Sequence, residues 1–144
     1  MPRQTFPVAV HLFLRQGDCI LLLRRFQTGY EDGKYSLIAG HVEPNEDVYA
    51  AMRREAAEEA GIAIAADDLE IVQVMHRQSG GESRVDYFLE CHRWQNEARN
   101  MEPDKCDAFL WTQANALPDN TIGYIAAAVA NRREGVAFSL YGWE

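Results

Sequence analysis

A chain of 144 residues is the length of one domain and can bury a core without staples, so a single unit over 1–144 is expected. With 47% apolar and 25% charged residues, the composition excludes a disordered chain. The net charge of −8 argues against binding a nucleic-acid polymer through its phosphates, but it allows a small anionic substrate if a divalent cation inverts the local field.

Cys19, Cys91 and Cys106 are odd in number and lack the spacing of a zinc site or a disulfide framework, so a reducing, cytoplasmic setting is expected. Residues 1–10 hold no signal-like apolar run, and no later run is long enough to span a bilayer. No membrane role is expected.

In chain order, residues 8–15 and 19–25 read as strands of a hairpin turning at Gly17-Asp18. Residues 26–33 read as a loop, and 34–39 as a short strand ending at Gly40. Asn45 as N-cap and Gly61 as C′ residue bound a helix over 46–60. Strands over 69–78 and 84–94 join at Gly80-Gly81, and 108–112 is a further short strand. A second helix over 119–133 carries Ile122, Ile125, Ala126 and Val129 at helical spacing. The tail from Val136 to Trp143 is too short to assign; Phe138, Leu140, Tyr141 and Trp143 are expected against the body or a second subunit of a homodimer. The resulting order, β-β-β-α-β-β-β-α, indicates a mixed α/β arrangement with helices flanking a sheet.

Chemistry concentrates on the first helix. At about 100° per residue, Glu55, Glu58 and Glu59 fall within one sector of about 100°, below Val48, Ala51 and Met52. The stripe therefore begins apolar and ends as a carboxylate cluster. Like charges this close repel unless a cation compensates, and hard oxygen ligands suit Mg²⁺ or Mn²⁺. Arg54 lies beside Glu58 and within reach of the loop before the helix. EAAEEAG alone is ordinary helix-favouring sequence, but two glycines, four glutamates and one arginine at fixed positions arise by chance on the order of 10⁻⁷ per chain.

From Gly40 to Ile62 the sequence resembles the Nudix box, G-x5-E-x7-R-E-U-x-E-E-x-G-U with U aliphatic, of the Nudix hydrolases. Gly40, Glu46, Arg54, Glu55, Glu58, Glu59, Gly61 and Ile62 match it, and Ala56 is a smaller residue than usual at the first U. The resemblance implies an α/β/α sandwich and hydrolysis of a nucleoside diphosphate linked to another moiety. It implies divalent metal held by Glu55, Glu58, Glu59 and the Ala39 carbonyl, with Glu55 as base or ligand. Glu46, Arg54, Gly40 and Gly61 would be structural. Metals bridging the phosphates suit this chemistry, because phosphate oxygens already repel an attacking nucleophile.

By the pattern of MutT-like members, Glu102 is either a further carboxylate near the metals or a solvated loop residue. On the same basis Arg24, rather than Arg25, would face the phosphates. Asn120 resembles a base-reading position, with N-capping by Asp119 or Asn120 as the competing account. Tyr87, Trp94, Phe109 and Trp111 are candidates for stacking or core, and His41 and His76 for phosphate contact or surface. Positions 77–81, Arg77-Gln78-Ser79-Gly80-Gly81, lack the proline or tyrosine that other Nudix subgroups carry there. A nucleoside triphosphate, unmodified or oxidised or otherwise modified, is thus the expected substrate, cleaved to monophosphate and pyrophosphate. A nucleotide-sugar or dinucleotide pyrophosphatase and a non-catalytic nucleotide-binding module are the alternatives.

Overall fold

The computed structural model describes residues 2–144. In chain order it contains β1 (Val8–Gln16), β2 (Cys19–Arg25), β3 (Tyr35–Ser36), β4 (Ile38–His41), α1 (Val48–Ala60), β5 (Glu70–Ser79), β6 (Glu82–Cys91), β7 (Cys106–Gln113), α2 (Gly123–Arg133) and β8 (Phe138–Tyr141). Strand β1 is the hub. It pairs antiparallel with β4 from Ala9 to Leu12, antiparallel with β2 at Arg15 and Gln16, and parallel with β6 from Val8 to Leu14. Beyond β6 come antiparallel β5 and then parallel β8 at the edge, while β2 pairs with β7 along its length and with β3 near its end.

Successive side chains of a strand point to opposite faces, and here each face carries its own helix. Val10, Leu12 and Leu14 of β1 pack with Ala51, Met52, Ala56 and Ala60 of α1. Phe13 of the same strand packs with Ile125, Ala128 and Val129 of α2. The result is the mixed sheet between helices expected from the element order. Ala56 is fully buried, so α1 lies against the sheet through a small side chain. Among the described residues no helix is long and apolar enough to cross a membrane.

Several boundaries differ from the sequence reading. The strand expected over 34–39 is two strands: Tyr35–Ser36 pairs with β2, and Ile38–His41 pairs with β1. Leu37 lies at the crossing, buried on the α2 side, while Ile38 is buried on the α1 side. The crossing carries Ala39 and Gly40 to the last turns of α1.

Asn45 does not cap that helix. Its φ of 66° is left-handed, whereas an N-cap needs extended backbone; Asp47 has φ −84° and ψ 172°, and its side chain accepts from the Ala50 N–H at 2.8 Å. Gly61 does end the helix, with φ 68° and its N–H on the Ala57 carbonyl at 3.1 Å.

The second helix begins at Gly123, not at 119, and neither Asp119 nor Asn120 caps it. The preceding segment is held against β3 instead: Asn120 accepts from the Tyr35 N–H through its carbonyl and donates from Nδ2 to the Gly33 carbonyl at 2.9 Å. Finally, the tail adds β8 to the edge of β5, and Trp143 Nε1 donates to the His76 carbonyl at 2.8 Å. Phe138 and Leu140 stay about 60% exposed there.

A buried ionic group ties the sheet together. Asp86 of β6, with no exposed surface, takes His11 Nε2 of β1 at 2.9 Å and Arg77 Nε of β5 at 2.7 Å.

Candidate active site

Glu55, Glu58, Glu59 and Glu102 share a cleft of about 540 Å³ with Ala39, and Arg24, Arg25 and Lys105 also line it. Glu59 Oε1 accepts weakly from the Ala39 N–H at 3.4 Å, while its Oε2 is sealed from solvent with no partner. Burial, then the neighbouring Glu55 carboxyl, then the charge of Glu102 push the Glu59 carboxyl well above its ordinary range. Glu58 stands further out, its side chain 53% exposed. Glu102 reaches the cleft from a turn in which its carbonyl accepts from the Lys105 and Cys106 N–H groups and its own N–H donates to Asn100 Oδ1.

Arg54 organises the approach. It donates to both Glu46 oxygens at 2.8 and 3.0 Å, to the His41 carbonyl at 3.1 Å, to Glu55 Oε1 at 2.6 Å and to Glu58 Oε2 at 3.4 Å. One guanidinium thus joins the end of β4, the loop before α1 and two of the helix glutamates. Its bonds, with the Glu43 N–H, hold the Glu46 carboxyl at about 2.

Gly40 is fixed by proximity rather than by backbone angle. A Cβ at this position would overlap the Glu55 carboxylate. Gly40→Ala is therefore expected to displace the flexible end of Glu55. Stability should change by no more than about 1 kcal/mol, while turnover drops by about tenfold or more. Thermal unfolding and initial rates measured side by side check this.

The other candidates divide. Arg24 is tied to Asp107 at 2.7 and 3.1 Å, whereas Arg25 donates to the Tyr30 carbonyl and Thr28 Oγ1 at the edge of the cleft. Asn120 is not part of the cleft lining, and its Nδ2 donates to the Gly33 carbonyl. Tyr87, Trp94, Phe109 and Trp111 pack against the α1 core, and the two tryptophans stack at 6.2 Å. His76 lies against Trp143, and His41 pairs with Arg84. Lys105 and Ser36 were not singled out from the sequence, and Arg25 was the less favoured of the Arg24/Arg25 pair. Arg25 carried only the strand alternation as a signal, and the pairing partners of the other two are distant in the chain.

The donor set fits a hard divalent cation. Among the described residues no three acidic, imidazole or thiol groups already converge as a closed cage. Yet the unpartnered Glu59 Oε2, the adjacent Glu55 carboxylate and the Glu102 charge are a repulsive arrangement that a cation would relieve.

A carboxylate-bearing helix backed onto a strand glycine, on a mixed sheet between two helices, defines a class rather than one protein. The family model described as NUDIX domain matches residues 5–131, and the chain belongs to that family, whose members are hydrolases acting on pyrophosphate bonds and generally need divalent metal. It is similar to a MutT NUDIX hydrolase from Burkholderia pseudomallei, at 27% identity over 88% of this chain and 98% of that one, with TM-score 0.80. A MutT protein from Methanosarcina mazei Go1 shares the fold at TM-score 0.78 and 16% identity, covering 93% of this chain and 97% of that one. A protein titled ADP compounds hydrolase shares it at TM-score 0.72 and 22% identity, covering 92% and 74%.

Proposed function

We propose that the chain is a Mg²⁺- or Mn²⁺-dependent pyrophosphohydrolase that cleaves a nucleoside triphosphate, unmodified or oxidised or otherwise modified, to monophosphate and pyrophosphate. The observation that carries this reading is the meeting of Glu55, Glu58, Glu59, Glu102 and Ala39 in one cleft with Arg24, Arg25 and Lys105. Carboxylates alone would repel a polyphosphate, and cations alone would not activate water.

Glu55, Glu58, Glu59, Glu102 and the Ala39 carbonyl would hold the metal. When bound, it supplies charge neutralisation for the phosphates and a more acidic water. Glu55, beside Glu59 and held by Arg54, is placed to take the proton of the attacking water. Arg25 and Lys105 are placed to bind phosphate oxygens as charge gathers on the leaving group. Arg54 and Glu46 keep the Ala39-Gly40 backbone in register with α1.

The second reading, a nucleotide-sugar or dinucleotide pyrophosphatase, is favoured only by a second cavity that extends the cleft. The test is product analysis with Mg²⁺ and a panel of unmodified and oxidised triphosphates, nucleotide sugars and dinucleotides. Pyrophosphate with monophosphate from a triphosphate is the expected result. Cleavage of a nucleotide sugar with no pyrophosphate from any triphosphate would overturn it, and no metal-dependent cleavage of any kind would leave a binding module.

A further inference from the structure

The second cavity, about 300 Å³, shares Arg25, Ser36 and Ala39 with the glutamate cleft. The Ala39-Gly40 backbone is their common wall, since Gly40 lines the second cavity and touches the Glu55 carboxylate. The far walls come from four strands and a helix, with His11 on β1, His41 on β4, Arg77 on β5, Arg84 on β6 and Tyr124 on α2. None of the lining residues is acidic, although the chain holds 22 acidic residues.

The three guanidinium groups differ in what they lack. Arg77 is paired with Asp86 and lies 3.6 Å from the Tyr124 ring centre. Arg25 is engaged by the Tyr30 carbonyl and Thr28. Arg84 has one loose counter-charge, the exposed Glu82 carboxylate 3.8 Å from Nη1, and Nη2 donates to His41 Nε2 at 3.0 Å. Its Nε is sealed from solvent without a partner, as is Nδ1 of His11, another lining residue.

An unpartnered guanidinium nitrogen, on an arginine whose one carboxylate neighbour is exposed and 3.8 Å away, in a cavity with no acidic lining, leaves room for an acceptor. A neutral base would bring N–H groups of its own, for which these cationic walls offer few acceptors. A phosphate group brings acceptors only and suits a planar guanidinium.

We propose that the second cavity is an oxyanion subsite that takes a phosphate beyond the two addressed by the glutamates, so that Arg84 binds the terminal phosphate of a triphosphate. Arg84 then sets the preference for triphosphates over diphosphates. This assignment rests on the pyrophosphohydrolase reading of the neighbouring cleft.

Matched kinetics on one nucleoside triphosphate and its diphosphate test it, with the wild type, Arg84→Gln, Arg84→Lys and the exposed control Arg133→Gln. Arg84→Gln is expected to raise KM for the triphosphate by about tenfold or more, as losing a charge-assisted hydrogen bond implies, with kcat and the diphosphate KM little changed. Arg84→Lys should recover part of the loss, and Arg133→Gln should match wild type. Equal KM rises for both substrates, or an unchanged triphosphate KM, overturn the assignment.

A titration without turnover separates this from the function reading. In chelator, inorganic tripolyphosphate is expected to bind wild type and to bind Arg84→Gln about tenfold more weakly. Tripolyphosphate binding indifferent to Arg84, or guanosine binding that Arg84→Gln abolishes, overturns the subsite. Arg84-dependent tripolyphosphate binding in a protein that cleaves nothing supports the subsite and sinks the pyrophosphohydrolase reading alone.

Discussion

Glu59→Gln is expected to lower metal-dependent turnover by about 10³-fold or more, with no loss of thermal stability. The two outcomes have one cause. Glu59 is packed where its Oε2 has no partner, beside Glu55 and within the field of Glu102, so under the proposed function its charge would serve a cation and not the fold. Glutamine keeps the shape and still offers an oxygen to the Ala39 N–H, now at 3.4 Å from Glu59 Oε1. It would remove the repulsion and the proposed ligand together. Rates across a Mg²⁺ series, with melting curves of both proteins, check the pair of expectations; a variant that is destabilised and only mildly slower would assign Glu59 to structure.

Asp86→Ala is expected to destabilise the protein by about 3 to 5 kcal/mol, the usual cost of stripping the partner from a buried charge. It would leave Arg77, 4% exposed, without its carboxylate, and His11 without its Nε2 acceptor. The same group predicts a pH dependence. Burial would raise the Asp86 carboxyl, but the bonds and charges of His11 and Arg77 outweigh it and hold it at about 2, below the 3.8 of a free carboxyl. The unfolded chain therefore binds this proton more tightly. The stabilisation is complete above about pH 4 and is lost as pH falls toward about 2, amounting to about 2 kcal/mol. Urea unfolding at neutral pH and near pH 3 should show about half of that loss in wild type and a smaller one in Asp86→Ala; Glu90, held at about 2 against the upward push of its burial by Arg132, His92 and Arg15, supplies a remainder.

What could be read in the sequence was local. Glu55, Glu58, Glu59 and Arg54 lie within six consecutive positions of one helix, where periodicity alone fixes their relative directions. Gly61 was legible for the same reason, as a residue whose required φ follows from where the helix stops. Asn45 failed because two polar residues near one helix start compete for one cap, and the left-handed turn at Asn45 left the cap to Asp47. Leu37 failed because changing strand partner leaves no mark in a run of apolar residues.

The second cavity could not be read at all, since His11, Arg77, Arg84 and Tyr124 meet only through the pairings of β1 with β6 and β5 with β6 and the packing of α2. One faint signal existed. His11 and Asp86 are lone polar residues inside apolar strand stretches, a pattern that implies a buried partner without naming it.

Under the proposed function the α1 glutamates form a divalent-cation platform. Mn²⁺ binding followed by electron paramagnetic resonance tests it most directly, on wild type, Glu58→Gln and Glu59→Gln. Mn²⁺ is expected to lose its free-ion signal on wild type, to bind about tenfold or more weakly to each variant, and to be competed off by Mg²⁺. Mn²⁺ binding of equal strength in all three proteins would contradict it.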